Sequence, residues 1–194
     1  MQPRAEMVHW LFASGVLVLG LIMIAQAIAG PAVWAKRRWR VYLWPGIAFG
    51  LGVLMWPVMT FYTNSAIHMV AHGSWAEAMM LAGGAQLGLA AGKLENPLWN
   101  LTIPLGLFVG GVAILVHEQN GWLYSRAAFG HHLIGWIAIG GALIPIALSL
   151  RPRSIAAGLC FAALLVSLST VLYADRDTAP IFGHLSPEAG SPHR

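Results

Sequence analysis

Residues 8–29 read VHWLFASGVLVLGLIMIAQAIA, without a single Asp, Glu, Lys or Arg. As a helix rising 1.5 Å per residue this run covers about 33 Å, enough to cross the ~30 Å hydrocarbon core of a bilayer. A helix this apolar has no polar face to offer water, so the solvent around it is lipid. Ala25-Gln26-Ala27 resembles the small-residue site at which secretion signals are cut. The run is read here as a retained span.

The same reading extends along the chain. Further apolar runs cover residues 41–62, 66–90, 98–117, 129–150 and 154–174. Polar or helix-breaking residues separate them at 63–65, 92–97, 118–126 and 151–153. The third run is the most polar, with His68, His72, Glu77 and Gln86. The expected fold is therefore all-α: a polytopic transmembrane helical bundle of about six spans filling residues 1–174. Residues 175–194 form a polar, extended tail with several Pro and Gly. Composition points the same way. Hydrophobic residues make up 58% of the chain and charged residues 9%, against about a quarter charged in soluble domains. The net charge of +4 comes from short basic clusters between apolar runs. That pattern suits membrane topology and argues against a nucleic-acid partner. Cys160, the single cysteine, excludes an internal disulfide framework and reads as a core residue.

Basic residues set the expected orientation. With six spans, Lys36, Arg37, Arg38, Arg40, Lys93, Arg151 and Arg153 share one side, and Arg4, Arg126, Arg176 and Arg194 the other, so the 11 basic residues divide seven to four. The positive-inside rule then places both termini outside the cytoplasm, with the chain expected in a bacterial inner membrane. Trp34, Trp39, Trp44 and Trp99 fall near the inner interface, and Trp10, Trp122 and Trp136 near the outer one.

Eight histidines stand out in so apolar a chain. His184 and His193 belong to the tail. On the expected topology His9, His68, His72, His117, His131 and His132 all fall in the outer third of the membrane, where polar groups mark function by default. Each one alone also suits the headgroup region. The pair His68 and His72 is more telling, because an i, i+4 spacing stacks both imidazoles on one helix face. Imidazole suits copper, iron and zinc. His131 and His132 point ~100° apart, so one of them faces the bundle. His131 has Gly135 one turn below, which leaves room for a flat macrocycle or for close helix approach. Met69, Met79 and Met80 offer thioether to copper, though methionine in an apolar helix more often serves packing. Glu118 and Tyr124 are candidate hydrogen-bond acceptors for ligating imidazoles. Glu77 lies about 140° round the helix from His72, and is a candidate to hydrogen-bond a ligating imidazole or relay a proton.

The stretch from residue 117 to 135, HEQNGWLYSRAAFGHHLIG, resembles a pattern in the six-helix, ascorbate-reducible b-type cytochromes. There a His near a helix end precedes a short outer loop with Gly and Tyr-Ser, and a His with Gly four residues on begins the next helix. The resemblance implies a haem b held between His68 or His72 and His131 or His132, with quinol or a periplasmic electron carrier as redox partner. Those cytochromes carry a second haem near the cytoplasmic side; this chain has no intramembrane histidine there. The clustered outer His and Met residues are also similar to membrane proteins of copper resistance and copper delivery. That likeness implies copper, bound without catalysis by the same histidines. A third expectation is a structural subunit of a larger respiratory or oxidase complex.

Overall fold

The computed structural model describes residues 5–62, 66–117, 126–150 and 154–174. Every regular element among them is helical. In chain order these are α1 (Ala5–Ala29), α2 (Pro31–Ala35), a 3-10 turn (Arg38–Tyr42), α3 (Leu43–Tyr62), α4 (Ala66–Ala90), a second 3-10 turn (Pro97–Leu101), α5 (Thr102–His117), α6 (Arg126–Gly141), α7 (Leu143–Leu150) and α8 (Ile155–Ala174). Five segments are long and apolar enough to cross a membrane: Glu6–Ala29, Arg38–Val58, Pro97–Val116, Phe129–Leu148 and Ile155–Ala174. α4 is 25 residues long but more polar than these.

The chemistry of the termini follows from local sequence. α1 stops where Gly30 adopts φ +76°, a conformation that favours glycine, and Pro31 opens α2. α4 ends in a Schellman motif. Gly92 takes φ +67°, its N–H donates to Leu89 O at 3.1 Å, and Lys93 N–H donates to Gly88 O at 2.9 Å. α6 and α7, expected as one span, are offset by a turn at Ala142. Pro145 explains it: proline has no N–H for the carbonyl of Gly141 and its ring crowds that carbonyl.

The long helices close into a ring. α1 packs on α3, α3 on α4, α4 on α5, α5 on α6, α6 on α8, and α8 back on α1. Small residues let the backbones approach, as expected where lipid supplies no hydrophobic drive between helices. A Cβ on Gly83 would lie 2.7 Å from Pro45 O, and one on Gly52 would lie 2.6 Å from Ala76 O, so α3 and α4 run antiparallel. Gly106 faces Ala78 and Gly110 faces the Trp75 indole, which makes α4 and α5 antiparallel too. α1 and α8 are joined by Ser169 Oγ donating to Ala13 O at 2.8 Å and by Ser14 Oγ meeting Tyr173 Oη at 2.6 Å. Gln86 Nε2 donates to Asn100 Oδ1 at 2.8 Å, so the one amide in α4 is paired.

The surface is as apolar as a lipid-facing one should be, and a few polar groups lie inside. Leu21, Val53, Leu81, Phe108 and Trp136 are exposed, whereas His72, His131 and Ser169 are buried. Cys160 is exposed, which corrects its reading as core: α8 turns that face outward. At the far end from α1's start, Arg40 lies over Trp34 and Trp39, with its guanidinium 5.4 and 5.7 Å from the ring centroids. Trp34 Nε1 donates to Arg40 O at 3.2 Å. This basic and aromatic corner has the chemistry of a headgroup anchor.

Candidate metal centre

Three helices each bring one histidine to a common point. His9, His72 and His131 sit within the first two turns of α1, α4 and α6. α1, α4 and α6 start at the same end of the ring, opposite the Lys36–Arg40 cluster, because neighbouring helices alternate in direction. One potential ligand nitrogen from each imidazole falls within 4.8 Å of the others. The His9 and His131 rings are 5.7 Å apart at 78°, and the His72 and His131 rings 6.0 Å apart at 88°. Imidazoles sharing one ion through bonds of ~2.0–2.1 Å have centroids roughly 5–6 Å apart. His72 is 8% exposed, His131 4%, and His9 is half-buried.

The cluster borders a chamber of about 200 Å³ inside the ring. That is below the roughly 300–1,000 Å³ of pockets for drug-sized ligands. Phe12, Met55, Trp75, Leu107 and Phe161 are among the side chains that continue the chamber away from the histidines. Of the two uses expected of Gly135, the structure shows close helix approach. A Cβ there would lie 2.7 Å from Leu115 Cγ and 3.0 Å from Gly111 O.

The remaining candidates are placed as follows. His132 is half-buried and is not among the three convergent histidines. Glu77 is exposed on α4. Met79 lines the chamber, Met69 is exposed, and Met80 packs against Gly52. The side chains of His68 and His117 lie outside the described residues, as do Glu118, Tyr124, His184, His193 and the tail 175–194. Helices consecutive in sequence suggest a site between the third, fourth and fifth spans. Ring closure brings in the first span as well, and with it His9; the fourth-span candidate, His117, has its side chain outside the described residues. The signal for His9 was its place at the start of an otherwise apolar run, on the same expected side as the other five.

Comparison with known protein families, curated proteins and solved structures found no match to this chain.

Proposed function

We propose that this is a membrane-embedded metal-binding protein that holds one transition-metal ion, copper above all, between His9, His72 and His131 near the outer face. The convergence of three imidazoles within 4.8 Å carries the reading. Two of them are buried in the bundle, where polar intramembrane side chains mark function by default. An all-imidazole donor set suits copper and zinc, and copper(II) binds such sites most tightly of the divalent first-row ions. The ion would exchange at the outer face, because the chamber below the histidines offers it no charged or carboxylate ligand among the described residues.

A b-type haem is the second reading. His72 and His131 face each other from α4 and α6 at 6.0 Å, a separation close to that of an axial imidazole pair. His9, however, occupies the space beside that pair where a macrocycle would lie, and the chamber is small for one. The haem reading therefore requires His9 to move aside. In that case the protein carries electrons to or from quinol or a periplasmic partner, with the cofactor supplying the redox chemistry.

Six spans and external termini belong to the same proposal. α3 and α5 both run antiparallel to α4, so they point the same way. If both cross the bilayer, the chain must cross back between them, and α4 is the segment available to do so. At 25 residues its helix is about 37 Å long. Metal analysis and a visible spectrum of the purified chain decide the cofactor. Stoichiometric copper without a Soret band is expected. A Soret band with sharp reduced-state bands would establish haem instead, and neither metal nor haem would leave a structural subunit of a larger complex.

A further inference from the structure

The chamber beside the histidines is lined almost wholly by apolar side chains. Among its lining residues only His9, His72 and His131 carry ionisable groups; the others are aliphatic, aromatic or Met side chains and one glycine. Besides the imidazoles, the polar groups among these residues are the indole N–H groups of Trp44 and Trp75; ordered water needs two to four polar partners, and apolar cavities of about this size take up apolar guests. Anions and hydrated cations would have to shed their water on entry, at a large cost. All three imidazoles border the chamber, so an ion they hold borders it too. Three protein ligands on a tetrahedral ion leave a fourth position open to an exogenous ligand.

We propose that the chamber is a binding site for small, neutral, apolar molecules with a donor lone pair, which reach the open position of the metal from inside the bundle. This rests on the three-histidine metal site. It goes further by assigning the class of molecule that meets the metal, of which dioxygen and carbon monoxide are the smallest examples. Charge exclusion comes from the apolar walls. The side chains of Ala78 and Ala82 on α4 and Val16 on α1 line the chamber beyond the histidines.

The test uses the full chain loaded with copper(I) in nanodiscs. The infrared C≡N stretch of an isocyanide reports its binding to copper. Two probes of equal length are compared, n-butyl isocyanide and an isocyanide ending in a carboxylate. The neutral probe should bind saturably and at least ten-fold more tightly than the charged one. Ala78→Phe and Ala82→Phe put a ring into the chamber more than one turn below His72. Each should weaken n-butyl isocyanide at least ten-fold with copper content unchanged. Ala78 touches Gly106 across the α4–α5 contact, so Ala82→Phe serves where Ala78→Phe does not fold. Equal affinity for the two probes, or full affinity in a filled variant that retains copper, overturns the chamber site and leaves the metal site standing. A wild-type chain that takes up no copper overturns both.

Discussion

Replacing any one of His9, His72 and His131 by Ala removes one donor of three and leaves the other two to hold an ion alone. Loss of a residue that merely orients a ligand costs ~10–100-fold in metal affinity, so loss of a ligand should cost more. We expect each variant to lose most of its copper by elemental analysis, while His132→Ala and His184→Ala retain it. Retention by His9→Ala with loss in the other two would reduce the site to the α4–α6 pair and favour the haem reading. Imidazole must be neutral to ligate, so binding releases protons and weakens as pH falls. Copper affinity should therefore decline on sufficient acidification, and an affinity that does not fall at any pH at which the bundle stays folded would overturn histidine ligation. Much at this scale was legible in the sequence. Imidazoles in an apolar run are conspicuous, and of the adjacent pair it was His131, with Gly135 beneath it, that the α6 face turned inward. Of the two uses its size allowed, Gly135 serves close helix approach to α5.

The seam between α5 and α6 makes glycine a structural requirement at two positions and a convenience at another. A Cβ on Gly111 would meet Gly135 O at 2.8 Å, and one on Gly135 would meet Leu115 Cγ at 2.7 Å. One of these neighbours is backbone, so the helices must part to make room. Gly111→Ala should destabilise the bundle by about 1–3 kcal/mol, the usual cost of overpacking, as measured by unfolding in mixed micelles. It should also weaken copper binding, because the displaced α6 carries His131. Gly140→Ala meets nothing within 4 Å and should be neutral, or stabilising by up to about 1 kcal/mol through helix propensity. Equal losses for the two variants would mean that the seam is not what holds α6. Sequence alone located these helices within a few residues, because a membrane fixes their length. It did not reveal the break at Ala142, although Pro145 was there to suggest it, and it misplaced Cys160. Helices apolar on every side carry little periodic signal for which face turns inward, so orientation about the axis is readable only where a polar side chain marks it.

The whole molecule is a ring closed by contacts between residues far apart in sequence, such as Ser169 with Ala13. Closure of this kind leaves no trace in local pattern, so His9 was legible as a candidate ligand but its neighbours in the site were not. Ring order also sharpens the topology into an experiment. The histidines occupy the end of the bundle opposite Lys36–Arg40, so the sidedness of that basic cluster decides which compartment the metal site serves. Cysteine labelling in intact cells, on a Cys160→Ser background, separates the alternatives. With six spans and the basic cluster inside, probes at Arg40 and Lys93 both report the cytoplasm, and a probe in the tail reports the exterior. If α4 does not cross, Lys93 moves to the exterior and every later segment inverts, which puts the tail in the cytoplasm. The two α4 outcomes thus differ at two independent positions. α4 carries His72, and an α4 lying along the surface would not run antiparallel beside both α3 and α5 with its histidine at the level of His9 and His131. An external probe signal at Lys93 would therefore reject the sixth span and the three-histidine site together. External labelling at Arg40 would instead keep the site intact and hand it to the cytoplasm.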